Sequence, residues 1–345
     1  MRQLSLFANA PIPDVFLPPE IDAALKNGAA LAISISGGKD SQAMLIALTR
    51  LYQPSGWTGP LFAIHAHLGR AEWPQSLGMC QKMADDAGIP LTVVSRPQGD
   101  LVQEIEDRKE KLAGTGKPFW PDAKNRYCTS DQKRTQIDKV LRAPFWPDAK
   151  NRYCTSHHKT NQIDKRLRGY PVVISAEGIR AEESPARAKK SPFGVRKAIT
   201  AKALEEMSPA DALAQQSPGQ RVGLTWYPIF YWHKPHVYGR CGHDLEELNE
   251  RRALYRAGDH ERALNGWQMH PAYVFGNERL SCALCILGSR NDIENGARHN
   301  SELLSIYADW ERETGFTFRQ DLALMDVQAG IEGETDDGFT DDYDC

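Results

Sequence analysis

The chain predicts an α/β fold: a doubly wound, mostly parallel sheet followed by a helical, cysteine-containing C-terminal part. Three observations carry this. The apolar residues 29–35 run straight into a loop, Ser36-Gly37-Gly38-Lys39-Asp40-Ser41, and residues 40–52 then set Met44, Leu45, Leu48 and Leu51 on one helical face. Strand-like and helix-like segments alternate beyond it, which favours a parallel sheet covered on both faces. From residue 244 to 313 the pattern is helical around a break that contains Cys282-Ala283-Leu284-Cys285.

Each element follows in order. Residues 20–28 read as a short helix inside an N-terminal extension of residues 1–28. Residues 61–67 give a second strand, 75–87 a second helix and 90–95 a third strand. Residues 117–142 and 143–168 are near-identical tandem copies of 26 residues. Two copies are too few for a solenoid, which needs about three units to bury its own core. The repeat therefore reads as a duplicated loop-plus-helix, and it duplicates a cysteine as Cys128 and Cys154. Residues 172–176 form another strand, so the α/β domain is expected over residues 29–240. Within it, residues 190–221 are polar and read as an excursion or mobile flap. Residues 224–238 are aromatic and partly buried, with Trp226 and Trp232 as core rather than base-stacking groups. The helical part is expected over 241–325, and an acidic disordered tail over 326–345.

Composition bounds the function classes. With 345 residues and 41% apolar content the chain can bury a full core. No apolar run approaches the roughly eighteen residues of a membrane span, and the N-terminus lacks a signal-type pattern, so a cytoplasmic location without membrane contact is expected. Seven cysteines, odd in number and unevenly spaced, argue against a secreted disulfide framework and for metal or redox chemistry. The net charge of −3 hides an asymmetry: the last fifteen residues are acidic, while residues 108–202 are rich in Lys and Arg. That basic middle suits the phosphates of a nucleotide or of a nucleic acid.

The glycine loop has the chemistry of a pyrophosphate cradle. Its glycines let backbone N–H groups close on phosphate oxygens, the helix N-terminus adds positive potential, and Lys39 supplies a mobile cation. Ser36 and Ser41 can donate hydroxyl hydrogen bonds, and Asp40 can cap the helix or hold a metal. The spacing differs from that of the kinase-type phosphate loop. Arg180 and Arg187 lie just beyond a strand end, where doubly wound sheets place ligands, with Glu183 between them to orient either one; surface ion pairing is the competing reading. Cys282 and Cys285 can bind one metal centre but not complete it, so Cys128 or Cys154 is needed as a third ligand, with buried structural thiols as the alternative. Cys241 beside His243 is a weaker metal candidate, Cys80 reads as core, and His157-His158 marks drift between the copies.

Taken together, these residues resemble a known family. The loop looks like that of the N-type ATP pyrophosphatases. Arg126-Tyr127-Cys128-Thr129-Ser130 with Lys133, Glu177-Gly178-Ile179-Arg180 with Glu183-Ser184 and Arg187, and Arg279-Leu280-Ser281-Cys282-Ala283-Leu284-Cys285 resemble the phosphoadenosine phosphosulfate reductase family, closest to its DNA-phosphorothioation and phage-borne sulfurtransferase branch. The resemblance spans about residues 29–316 and implies an adenine nucleotide alpha-hydrolase-like sheet. It implies that Ser36, Gly37, Gly38, Lys39, Asp40, Ser41, Gly178, Arg180, Glu183 and Arg187 hold ATP, with Lys39, Asp40 and Arg180 acting in the reaction and Mg²⁺ bridging the phosphates. It also implies a 4Fe–4S cluster on Cys282, Cys285 and Cys128 or Cys154, with zinc as the competing occupant. A cysteine desulfurase as sulfur donor and further subunits of a modification complex are the implied partners. His67 departs from the pattern, because the family usually has an aspartate there.

Three functions compete on this evidence. In the first, ATP adenylates an oxygen on a nucleic acid or another acceptor, pyrophosphate leaves, and cluster-held sulfur displaces AMP. The second is reduction of adenylyl sulfate to sulfite. The intact pyrophosphate loop favours the first, and Cys345 lacks the Glu-Cys-Gly setting that such reductases use. A non-catalytic nucleotide-binding subunit of a larger complex is the third.

Overall fold

The computed structural model describes residues 12–113, 146–147, 152–315, 317–319 and 321–336. Cys128, the first repeat copy, most of the loop of the second and residues 337–345 lie outside the described residues. The chain forms two compact units, one from Met1–His67, Pro74–Ser95 and His157–Leu280, the other from Leu68–Trp73, Arg96–Ser156 and Ser281–Cys345. The first unit closes at Leu280, rather than at the boundary expected after residue 240, so the helices Leu245–Arg256, His260–Leu264 and Ala272–Phe275 belong to it.

Six strands make the sheet of the first unit: β1 (Ala30–Ser34), β2 (Leu61–Ala66), β3 (Leu91–Val94), β4 (Val172–Glu177), β5 (Phe193–Val195) and β6 (Val222–Trp226). Their order is β3-β2-β1-β4-β6-β5, all parallel except β5, which pairs antiparallel with β6. β1 lies inside the sheet, so both its faces are buried. Because successive strand residues point to opposite faces, Leu31 and Ile33 enter one core and Ala30 and Ala32 another. The first core takes α1 (Pro19–Lys26), α2 (Lys39–Tyr52) and α3 (Gln75–Asp86) through Ile21, Leu25, Met44, Leu48, Cys80 and Met83. The second takes the helix Asn161–Leu167 through Ile163 and Leu167, against Phe62, Ile64 and Val173. Each fully buried aliphatic side chain adds about 1.5–3 kcal/mol to this packing.

Strand order reverses at β1. The chain winds out through β2 and β3, then returns to β4 on the other side of β1. A doubly wound sheet binds ligands in the crevice outside the carboxyl ends of strands at such a reversal. The loop 36–41 leaves β1 there and Gly178 leaves β4, so topology alone brings the two predicted segments together.

Residues 190–221 differ from the expected flap. They carry β5 and the helix Pro209–Ala214, capped by Ser208 Oγ accepting from Asp211 N–H. Ile199, Leu204 and Ala212 anchor the segment at 2, 3 and 0% exposure. A polar average hid these few apolar anchors, which is why composition misread the segment. Trp226 and Trp232 are core, as expected, and so is Cys80.

In the second unit, α4 (Leu101–Ala113) begins at Asp100, whose carboxylate accepts Gln103 N–H at 2.8 Å and a two-pronged ion pair from Arg70 at 2.7 and 2.9 Å. Burial opposes that charge, but Arg70 and the Gln103 and Arg70 amides hold the Asp100 carboxyl down to about 2. Trp146, from the second repeat copy, packs against Tyr307, Trp310 and Phe318. Buried Glu311 accepts the N–H groups of Phe318 and Met325, joining the helix Ser301–Thr314 to the helix Leu324–Asp336. That last helix runs into the stretch expected to be a disordered tail. Among the described residues no helix is long and apolar enough to cross a membrane.

Candidate active site

The glycine loop is an anion cradle by construction. Gly38 is the N-cap of α2 in extended conformation, and Gly37 has φ +75°, a left-handed conformation that a side chain resists. Ser41 Oγ donates to Gly38 O at 2.8 Å and accepts Ser36 N–H at 3.2 Å, fastening the loop across its own turn. The N–H groups of Gly37, Gly38, Asp40 and Ser41 have no acceptor among the described residues. Unpaired N–H groups at a helix start are what a phosphate takes up.

Gly178 makes the second wall. A Cβ on it would lie 3.0 Å from Asp40 C and 3.1 Å from Ser41 N, so a side chain there would press the end of β4 away from the first turn of α2 by a few tenths of an ångström. Two residues on, Arg180 is buried at 4% exposure and its Nε donates to Asp40 Oδ1 at 2.6 Å. Its Nη1 meets Glu182, whose other oxygen lies 2.7 Å from His233 Nδ1. Glu183 accepts Arg180 N–H at 3.0 Å and pairs with the Arg187 guanidinium, so it does sit between the two arginines.

Asp40 does not cap α2; its carboxylate bridges two cations. Its Oδ2 accepts from Lys39 Nζ at 3.2 Å while Oδ1 holds Arg180. Burial raises the Asp40 carboxyl, yet the Lys39 and Arg180 cations outweigh it and hold the group below the usual carboxylate range.

Tyr273, Glu278 and Arg252 had no linear signal of their own. Tyr273 Oη accepts Lys39 N–H at 3.0 Å, and Lys39 Nζ lies 5.0 Å over the Tyr273 ring and 3.5 Å from Glu278 O. Arg252 holds that segment, donating to Tyr273 O and Asn277 O at 2.8 Å each and to Glu278 Oε1 at 2.9 Å. Cys241 Sγ lies 3.8 Å from Lys39 O, and burial pushes its thiol up to about 12. Its neighbour His243 is taken up by Glu247 at 2.9 Å and by Gln268 N–H at 3.1 Å. His67 donates its backbone N–H to Val94 O at 2.8 Å, extending the β2–β3 pairing.

The described metal candidates Cys154, Cys282 and Cys285 all belong to the second unit; each is half-buried and none is in a disulfide. Cys282 and Cys285 flank buried Ala283 and Leu284. Ala283 N–H donates to Ala71 O at 3.0 Å and Gly288 N–H to Cys285 O at 2.7 Å, so the turn between the thiols is fixed at both ends. Cys154 follows buried Tyr153, over whose ring the Arg108 guanidinium lies at 3.7 Å. A tetrahedral zinc ion needs thiols within about 4 Å of each other. Among the described residues Cys154, Cys282 and Cys285 are not gathered within 4.8 Å of one another.

The family model of the phosphoadenosine phosphosulfate reductase domain matches residues 30–258. Among solved structures, the U34-tRNA thiolase NcsA from Methanococcus maripaludis with its 4Fe–4S cluster is similar over 97% of this chain and 78% of that one, with 12% identity and a TM-score of 0.30. NAD+ synthetase from Burkholderia pseudomallei is similar over 76% of this chain and 91% of that one, with 15% identity and a TM-score of 0.21. No curated protein matches the chain significantly.

Proposed function

The chain belongs to the phosphoadenosine phosphosulfate reductase family, and from that premise we propose that it is an ATP-dependent sulfurtransferase that activates an acceptor oxygen by adenylation. The observation that carries this is the cradle itself: four unpaired N–H groups at the start of α2, beside Lys39, at the point where the strand order reverses. A pyrophosphate fits that set of donors, and adenylyl sulfate carries no pyrophosphate to grip. The acceptor oxygen would attack the α-phosphorus of ATP, forming an acceptor–AMP ester and releasing pyrophosphate. Lys39 and the loop amides would stabilise charge growing on the leaving group, and Mg²⁺ carried on its oxygens would do the same. Asp40 and Arg180 would keep the loop and the β4 turn in register while this happens.

Cys282, Cys285 and Cys128 or Cys154 would hold a 4Fe–4S cluster, which would supply a binding place for sulfur reduced to the sulfide level by an external two-electron donor; sulfide replacing AMP would form the acceptor–sulfur bond as the acceptor–oxygen bond to AMP breaks. The basic composition of residues 108–202 supports a nucleic acid as acceptor, with a cysteine desulfurase as donor and other modification-complex subunits as partners. Reduction of adenylyl sulfate to sulfite is the second reading, favoured by the description of the matching domain.

The two readings separate on their products. Incubated without oxygen with ATP and nucleic acid, the protein should release pyrophosphate, and Lys39→Ala should lower that rate roughly a hundredfold or more while leaving any absorbance near about 400 nm intact. Unchanged turnover in the variant would sink the role of the loop, and sulfite formed from adenylyl sulfate would select the second reading.

A further inference from the structure

Tyr273 is 1% exposed, and its hydroxyl sits at the mouth of the cradle: it accepts Lys39 N–H at 3.0 Å and lies 3.3 Å from where a Cβ on Gly38 would be. A phenol both accepts and donates. Here the accepting side is satisfied, while the O–H has no acceptor among the described residues. A buried donor without a partner is costly, by an amount comparable to a lost hydrogen bond. The side chain is also not free to leave. Arg252 holds Tyr273 O and Asn277 O, and Glu278 is pinned by Arg252 at 2.9 Å and by Lys234 at 2.6 Å.

We infer that Tyr273 is a pyrophosphate-binding residue: oriented by the Lys39 N–H, its hydroxyl donates to a phosphoryl oxygen held at the start of α2. This rests on the reading that the loop binds ATP. It assigns a side-chain donor from outside the loop, delivered by the segment 270–280 and clamped there by Arg252. Burial pushes the phenol well above its ordinary pKa, so it stays protonated as a donor at any working pH. Its ring also lies under the Lys39 ammonium, so a phenylalanine would keep that contact and lose only the oxygen.

The test is equilibrium binding of ATP, inorganic pyrophosphate and AMP to the full-length protein and to Tyr273→Phe, with melting temperatures of both. The variant should bind ATP and pyrophosphate about tenfold or more weakly, with AMP affinity and melting temperature little changed, because AMP lacks the phosphates that the hydroxyl would grip. A merely structural tyrosine would shift all three ligands together. Equal ATP affinity in variant and wild type overturns the inference; so does tighter binding by the variant, which would make the hydroxyl a plug. Wild-type protein that binds no ATP would instead remove the reading beneath it. Should the variant fold poorly, a tyrosine ultraviolet difference spectrum of the wild type decides: pyrophosphate should produce one and AMP should not, and equal spectra count against the inference.

Discussion

Asp40 gives one carboxylate oxygen to Arg180 and the other to Lys39, which turns three residues of conventional nucleotide chemistry into one electrostatic unit. Removing Arg180 leaves a part-buried carboxylate with only Lys39. Arg180→Ala should therefore destabilise the first unit by about 3 kcal/mol, read from urea unfolding, and should lower pyrophosphate release as well. The sign with pH follows from the direction of the shift. Because the folded Asp40 pKa lies below its ordinary value of 3.8, its stabilisation is complete above that value and is lost as pH falls through the lower folded pKa. The destabilisation caused by Arg180→Ala should accordingly shrink in strong acid. At this scale the residue types were legible in the sequence but their partners were not. An aspartate after Gly-Gly-Lys reads equally well as a cap, a metal ligand or half of an ion pair, and only the approach of Arg180 across 140 residues of chain shows the ion pair.

The elements meet where the sheet reverses, and the contact between them is narrow. At Gly178 the β4 turn touches the backbone of Asp40 and Ser41 so closely that a methyl group would fit only with a shift of a few tenths of an ångström. Gly178→Ala should push the two apart at a cost of about 1–3 kcal/mol and weaken ATP binding about tenfold, measured by titration calorimetry. Unaltered affinity would mean the β4 turn is not a wall of the site. The strand, loop and helix around residues 30–52 were readable locally because an apolar run, a glycine pair and a helical stripe each have their own period. β5 and the helix Pro209–Ala214 were not, since each is short and is held by a few apolar residues within a polar stretch.

At the scale of the molecule, the two candidate sites fall in different units: the proposed phosphate cradle in the first, and Cys154, Cys282 and Cys285 in the second. Loss of one thiol should therefore leave the other function standing. Cys282→Ala, purified without oxygen, should lose absorbance near about 400 nm while its ATP affinity stays within about twofold of wild type. A full loss of ATP binding would show that the division does not hold in solution. Sequence by itself determined the α/β class and marked Ser36 to Ser41 as a candidate phosphate cradle and the cysteines as metal candidates, because these depend on local periodicity and residue chemistry. Tertiary structure alone decided that Asp40 is locked by Arg180, that Gly178 packs tightly on the first turn of α2, and that Tyr273 reaches the cradle. Each of those is a contact between segments far apart along the chain, and their approach is set by strand order and core packing.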